Sequence, residues 1–133
     1  IRTSSGGSYT HWNFNSTGVF NVTNDLYYTR TLAGGLSLTG SSIEVKGDIF
    51  AGGGYHSGAP KITTVVKLNG TADQYYNYTS GVFPRLNIEK VSGSVLPEVG
   101  TTALEVTSLR LLQGTFTAPT GTLSIFSRDG NQI

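Results

Sequence analysis

The sequence predicts an all-β protein built as a right-handed parallel β-helix of about six short coils, with a β-sandwich (jelly-roll or pilin-like) as the alternative. Composition is the first observation that supports a β fold. The 133 residues include 18 glycines and 18 threonines, and only 13% of them are charged. Threonine favours strands because its branched β-carbon fits a pleated sheet, whereas glycine weakens helices. The length suits one domain, which we expect to span residues 1–133.

Short runs of alternating apolar and polar residues are the second observation. Ile43 and Val45 flank Glu44, and Leu86 and Ile88 flank a polar residue in the same way. Such runs end at glycine, serine or asparagine and recur at intervals of about 8 to 12 residues, which is typical of sandwiches, barrels and solenoids.

One segment, ALEVTSLRLLQGTFTAPTG at residues 103–121, has apolar residues spaced closely enough to suggest a helix. We interpret its first half instead as two short strands, 104–106 and 109–111. A turn at Thr107 and Ser108 shifts the alternation between them by one residue and so imitates a helical period.

An internal repeat is the third observation, and it favours a solenoid over a sandwich. SIEVKGDIFAGGGY at 42–55 aligns with ALEVTSLRLLQGTF at 103–116 at an offset of 61 residues, which places Glu44 on Glu105. We expect two tandem units, at about 12–65 and 66–126, each of about three coils of roughly 20 residues. QYYNYTSGVFP, residues 74 to 84, has no counterpart in the first unit and is predicted to be an inserted loop.

The second unit resembles a known repeat. Its segments LNGTADQYY, FPRLNIEKVSGSV and TALEVTSLRLLQGTFTAPTGTLSI are similar to right-handed parallel β-helix repeats of secreted bacterial cell-surface and adhesin-like proteins. The resemblance covers residues 66 to 126 well and residues 12 to 65 weakly. It implies an exported, extracellular protein of the cell surface. The aromatic insertion and the lack of a recognisable capping element depart from the family pattern.

Charge and composition argue against several classes of function. The net charge is +1 and the basic residues are scattered, so neither nucleic acid nor membrane insertion is expected. Without cysteine there are no disulfides and no thiolate chemistry. The chain begins with Ile1 and contains no methionine, so we expect a processed or excised product.

No catalytic, cofactor-binding or metal-binding residue is predicted. Glu44 and Glu105 look like one solvent-facing position of each repeat, and Asp48 and Asp73 stand beside turns, where aspartate binds its own backbone. The only histidines, at 11 and 56, have no companion ligands at metal-binding spacing. We therefore expect a protein that is not an enzyme and needs no cofactor.

Aromatic residues are the strongest candidates for a ligand or interface site. Tyr75, Tyr76, Tyr78 and Phe83 lie in the expected inserted loop, where their rings would stack on sugars or anchor a protein partner. The competing interpretation is that these rings pack the loop against the solenoid wall.

Four asparagines occur in glycosylation acceptor sequences, which matters in a host that glycosylates exported proteins. These possible glycosylation sites are Asn15, Asn21, Asn69 and Asn77.

The expected function is a non-catalytic structural and adhesive module of an extracellular surface protein or fibre. Stacked coils would form a stiff rod that binds other copies or neighbouring domains end to end, with surface glycans as further possible partners. One alternative is a carbohydrate-binding or carbohydrate-cleaving β-helix that uses the tyrosine-rich loop. The other is a β-sandwich subunit of a pilus-like filament, and strand direction distinguishes it from a solenoid.

Overall fold

A computed structural model describes residues 2–3, 12–15, 18–30, 36–39, 42–52 and 64–125. All regular structure in these residues is β-strand. No helix in the described part of the chain is long and apolar enough to span a membrane. The strands are β1 (Arg2–Thr3), β2 (Trp12–Asn15), β3 (Val19–Val22), β4 (Leu26–Arg30), β5 (Leu36–Thr39), β6 (Ser42–Val45), β7 (Ile49–Gly52), β8 (Val65–Leu68), β9 (Gln74–Tyr78), β10 (Phe83–Pro97), β11 (Ala103–Phe116) and β12 (Thr122–Ile125).

Strand pairing confirms the predicted β-solenoid and excludes the sandwich. Every pair among the described strands is parallel, and each joins one coil to the next. A sandwich built of hairpins would show antiparallel pairs instead.

The stacked strands make about four turns, and not the six coils that were predicted. Residues stacked in register are 20 positions apart at Val66 and Leu86, and 27 apart at Ile49 and Tyr76. The extra residues lie in the corners between strands, and the alternation within the strands does not indicate how long each corner is.

Three stacks of strands run along the solenoid, one on each side of the coil. Sheet A contains β3, β6, β8 and the stretches 85–88 of β10 and 108–111 of β11. Sheet B contains β1, β4, β7, β9 and the stretches 94–97 of β10 and 115–116 of β11. On the third side β2 pairs with β5, and the stretch 103–106 of β11 pairs with β12. β10 and β11 are long because each continues around corners from one side to the next.

The core is a set of apolar columns that run parallel to the solenoid axis. Ile43, Val66 and Leu86 occupy one inward position in successive coils of sheet A, and Leu109 continues the column. Burial of such a side chain contributes about 1.5–3 kcal/mol, so the columns are the main source of stability. The buried hydrophobic residues are Leu26, Ile43, Val45, Ile49, Ala51, Val66, Leu68, Tyr76, Phe83, Leu86, Ile88, Val95, Leu104 and Val106.

The segment with a helical appearance is strand, as predicted. Residues 103–106 pair with β12, whereas 108–111 pair with 85–88 on sheet A, so the chain turns a corner at Thr107. The corner changes which face of the strand points inward, and this change produces the apparent helical spacing.

The internal alignment does not match the stacking of the coils. Residues 42–45 lie in sheet A, but their aligned partners 103–106 lie on the third side. Ile43 stacks, through successive coils, in the same column as Leu109, so the offset between them in the structure is 66 residues, whereas the sequence alignment has an offset of 61. Strands of different sheets share the same alternation, so an alignment based on alternation pairs them regardless of side. The division into two tandem units remains a prediction.

Candidate functional site

The predicted tyrosine-rich loop is a regular strand of sheet B. β9 pairs with β7 on one side and with the end of β10 on the other, so it is no insertion. Tyr76 is 1% exposed and Phe83 is equally buried, whereas Tyr75 is 41% exposed and Tyr78 is half-buried. Alternation along the strand turns Tyr76 inward and Tyr75 outward. Of these four residues, Tyr75 is therefore the one whose ring is most available to a ligand.

The hydroxyl groups of the two inward tyrosines both donate to backbone carbonyls, and that of Tyr76 joins two coils. Tyr76 stacks on Phe116 with ring centroids 5.6 Å apart and donates its hydroxyl proton to the carbonyl of Thr117 at 3.0 Å. Burial raises the pKa of Tyr76 to about 12. Burial, together with the negative charge of Glu105, raises the pKa of Tyr78 to about 12, and its hydroxyl donates to the carbonyl of Gly81. Both hydroxyls therefore remain protonated donors.

The outer side of sheet B carries a ladder of aromatic and polar side chains. Tyr27 and Phe50 stack with centroids 4.5 Å apart and planes 8° from parallel, a separation close to the distance between neighbouring strands. In the next coil Asn77 lies opposite Phe50, and its amide donates to Glu98 at 2.7 Å. Ring faces and edges beside amide and carboxylate groups can hold a sugar or a cation.

Three aspartates at the corner between sheets A and B bind the backbone of the following coil. Oδ1 of Asp25 accepts from the amide of Asp48 at 2.9 Å, and Oδ1 of Asp48 accepts from the amide of Tyr75 at 2.7 Å. Asp73 accepts from the amide of Ser94 at 2.8 Å in the same way. The sequence predicted that Asp48 and Asp73 bind their own turns, but coil stacking brings the next coil's amide within reach. These carboxylates therefore stabilise the stack.

A buried lysine is the centre of the most extensive polar cluster in the described structure. Lys90 is 1% exposed, and its ammonium donates to the carbonyls of Gly70 at 2.7 Å and Ala72 at 2.6 Å. A third bond runs to Oε1 of Gln74 at 2.9 Å. Burial lowers the pKa of Lys90, and the charges of Asp73 and, to a smaller degree, Asp48 oppose this shift.

Gln74 extends the cluster to a third coil. Its Oε1 also accepts from the amide of Gly70 at 2.8 Å, while its amide donates to the carbonyls of Val45 at 3.1 Å and Gly47. Corner carbonyls that would otherwise be buried without donors are thus satisfied by two side chains. The cluster links consecutive coils at the corner where the strand ladder is interrupted.

Alternation along β10 is the signal that locates the buried lysine. Lys90 has the same parity as Leu86 and Ile88, both of which point inward. A lysine in an inward position of a strand indicates a buried ammonium, and therefore a set of acceptors around it. Lys90 is not among the candidate residues predicted from the sequence.

Sheet A carries alternating charges on its outer side. The ammonium of Lys67 lies 3.6 Å from Glu44 and 3.9 Å from Glu89. A hydrogen bond of 3.0 Å from Asn69, and then the charge of Lys67, lower the pKa of Glu44 against the opposing effect of burial. Glu105, which aligned with Glu44 in the sequence, lies on the third side of the coil. These groups form ladders across coils.

The described sequon asparagines differ in accessibility. Asn21 is exposed on β3, whereas the amides of Asn69 and Asn77 are half-buried and donate to carboxylates of sheets A and B. The structure does not describe the side chain of Asn15 or of either histidine. Among the described residues, no three His, Asp or Glu side chains are grouped to hold a metal ion.

Comparison with protein-family models, with curated proteins and with solved structures found no match. Strand pairing alone thus defines the class of the chain, a parallel β-solenoid of about four turns. Polar ladders and buried donors at its corners hold this solenoid together.

Proposed function

We propose that the chain is a non-catalytic structural and adhesive module of an extracellular surface protein or fibre, acting as a stiff rod. The observation that carries this proposal is the set of contacts that join successive coils at the corner between sheets A and B and on the outer side of sheet B. The aspartate row, the Lys90 cluster and the stacked rings of Tyr27 and Phe50 each join one coil to the next. Bonds of this kind resist separation of the coils along the axis, which is the direction in which a rod is loaded.

The ends of sheet A support head-to-tail association with another copy or a neighbouring domain. In the described part of the chain, β3 and the stretch 108–111 are the outer strands of this sheet. Phe20 is in register with Ile43 and Leu111 with Ile88, so both belong to inward columns. They are nevertheless 55% and 57% exposed. A strand added beside either of these two described strands would cover an apolar residue and extend the ladder.

The resemblance to repeats of secreted bacterial surface proteins supports an exported, cell-surface location. The low share of charged residues, 13%, is consistent with a wall that packs against glycans or other chains. If the host glycosylates exported proteins, we propose Asn21 as the first site to carry a glycan, because its side chain is exposed.

Growth of the rod with concentration tests this proposal. Small-angle X-ray scattering should show particles that lengthen at constant cross-section as the protein concentration rises. Leu111→Asp should prevent lengthening because it places a charge in the inward column at the last described stretch of sheet A. Ser108→Asp, which changes an outward position of the same stretch, is the matched control and should lengthen normally. A wild-type particle of constant length at all concentrations would count against the proposal.

Carbohydrate binding on the outer side of sheet B is a second candidate function. The exposed ring of Tyr75 lies in the same sheet as the Tyr27 and Phe50 stack, beside polar groups that can bond to hydroxyls. We expect a glycan array to show binding that Tyr75→Ala abolishes and that Val91→Ala, at another exposed apolar residue, leaves intact. Binding that is equal in both variants would exclude this face.

A further inference from the structure

The corner between sheets A and B contains the one Asn-Gly pair of the chain, Asn69 and Gly70. Asparagine followed by glycine is chemically reactive, because glycine has no side chain to keep its backbone nitrogen away from the neighbouring amide carbon. Stacking of the coils fixes Gly70, since a Cβ there would collide with the carbonyl oxygen of Lys46 in the preceding coil. The fold therefore requires glycine at a position where it makes the preceding asparagine reactive.

The reaction is an attack of the Gly70 backbone nitrogen on Cγ of Asn69. A bond forms between this nitrogen and Cγ, the nitrogen loses its proton to solvent, and Nδ2 takes up a proton and leaves as ammonia. The product is a cyclic imide. Water then opens either of the two C–N bonds of the imide and leaves aspartate or isoaspartate in place of asparagine. Water is the only co-reactant.

The attacking nitrogen is restrained in the folded chain. The amide of Gly70 is buried and donates to Oε1 of Gln74 at 2.8 Å. The carbonyl of Gly70 accepts from the buried ammonium of Lys90 at 2.7 Å. Because both polar groups of Gly70 are held, its nitrogen cannot lose its proton or turn toward Asn69 without breaking bonds to two side chains.

The side-chain amide of Asn69 is held in a state that resists attack. Attack would make Oδ1 an oxyanion, which needs donors, but Oδ1 is buried and has no hydrogen-bond partner among the residues that the structure describes. Nδ2, the leaving nitrogen, donates to Oε2 of Glu44 at 3.0 Å. This hydrogen bond is the main cause that lowers the pKa of Glu44, so the carboxylate accepts and cannot supply the proton that ammonia needs. The closed corner therefore opposes every part of the reaction.

We propose that Asn69 is a latent site of self-modification, which stays asparagine while the corner is closed and converts to aspartate and isoaspartate when the corner opens. Opening gives Oδ1 access to water and frees the Gly70 nitrogen, so the restraints are lost together. This inference is independent of the proposed function, because it concerns only the Asn69–Gly70 bond and its contacts within the corner.

The modified corner cannot regain its original contacts. A carboxylate at position 69 would face Glu44 where an amide now donates, which replaces a hydrogen bond by repulsion between like charges. Isoaspartate also lengthens the backbone by a methylene, which displaces the Gly70 carbonyl from Lys90. The modification is therefore a permanent record that the corner has opened.

Comparison of the folded chain with a peptide of residues 66–73 tests the restraint. Mass spectrometry of a proteolytic digest measures the mass gained when the amide becomes a carboxyl, and isoaspartyl methyltransferase labels the isoaspartate. We expect the folded chain to react at least about tenfold more slowly than the peptide, because a buried corner opens rarely. Equal rates would overturn the proposal. Asn69→Gln keeps an amide but closes the corresponding ring far more slowly, so a mass gain that persists in this variant would assign the signal to another residue and overturn the proposal.

A pair of variants separates opening of the corner from unfolding of the whole chain. Gln74→Leu removes the acceptor of the Gly70 amide, so Asn69 should react at least about tenfold faster than in the wild type. Leu104→Ala is the control, because Leu104 is buried on the third side and its loss destabilises the fold without removing a hydrogen bond of the corner. This variant should react at the wild-type rate while it remains folded. Equal acceleration in both variants would overturn the proposal.

Hydrogen exchange of the Gly70 amide in the wild type is a second measurement, which holds even where Gln74→Leu fails to fold. Exchange and deamidation both require the bond to Gln74 to break. Low concentrations of urea should therefore accelerate both processes by the same factor. Deamidation that accelerates while exchange of this amide stays constant would overturn the proposal.

Discussion

Replacement of Lys90 by methionine tests whether the buried cluster stabilises the solenoid. Methionine keeps an unbranched apolar stem of similar length, so the packing of the stem survives and the ammonium is lost. Three acceptors, the carbonyls of Gly70 and Ala72 and Oε1 of Gln74, would then lack their donor. Gln74 retains the amide of Gly70 as a donor, so the two carbonyls bear most of the loss.

The magnitude follows from two opposing effects. Each hydrogen bond to a charged group contributes about 1.5–3 kcal/mol, which gives about 4–9 kcal/mol for three. Removal of the ammonium also removes its own desolvation cost of several kcal/mol. We therefore expect the free energy of unfolding to fall by about 3 kcal/mol, within the range measured when one partner of a buried polar cluster is deleted.

Guanidinium denaturation followed by circular dichroism measures this loss. With a slope of about 4 kcal/mol per molar denaturant, the midpoint should fall by about 0.7 M. Lys67→Met is the matched control, because its ammonium lies in partly exposed ion pairs at 3.6 and 3.9 Å and its loss should cost less than about 1 kcal/mol.

A Lys90→Met variant as stable as the wild type would refute this reasoning. It would mean that an apolar side chain serves equally well at this corner, and that the corner carbonyls find other donors. A double variant with Gln74→Leu adds a second check, because two members of one cluster should cost less together than the sum of the single changes.

Three further predictions concern titration and the corners. The pKa of Tyr76 is about 12 in the fold and 10.0 when unfolded, so its contribution to the free energy of unfolding is complete below pH 10 and is lost between pH 10 and 12, by up to about 2.7 kcal/mol. Urea titrations at several pH values should show that Tyr76→Phe removes this part of the decline in stability at alkaline pH. An equal decline in wild type and variant would contradict the prediction. The pKa of Glu44 is lowered in the fold, so wild type should be more stable than Glu44→Gln above pH 4.5, by less than about 1 kcal/mol. This difference in stability should disappear as the pH falls through the lowered pKa. A difference that grows in acid would contradict the prediction. Gly114→Ala should lower the free energy of unfolding by about 2–4 kcal/mol, because φ is +96° and a Cβ would lie 2.8 Å from Cβ of Lys90. Gly100→Ala is the control, since φ is +89° but the space is open, and it should lower this free energy by only about 1–2 kcal/mol. Equal losses in thermal unfolding would mean that the contact with Lys90 has no effect.

Much of the local structure could be predicted from alternation. Ile43 and Val45 are inward and Glu44 is outward, as the sequence indicates. The same rule assigns Tyr76 to the core and Tyr75 to the surface once β9 is accepted as a strand. The prediction of an inserted loop failed because the region was judged by its lack of a match elsewhere in the chain and not by its own period.

The buried lysine at the polar corner could be predicted from the sequence in principle. Lys90 has inward parity after Leu86 and Ile88, and that single observation predicts a buried ammonium. Its acceptors could not be predicted, because Gly70 and Ala72 lie in a different coil, 20 and 18 residues away in the sequence.

Sequence by itself determined that this chain forms short strands and which side chains of each strand face inward. Both properties follow from the backbone, because successive side chains of a strand point to opposite faces whatever lies beside it. Tertiary structure alone decided the number of turns and the sheet to which each strand belongs. It also decided which corner carbonyls meet Lys90 and Gln74. These depend on the path of the chain through corners of variable length, where alternation is interrupted and each coil adjusts to the coil that it covers.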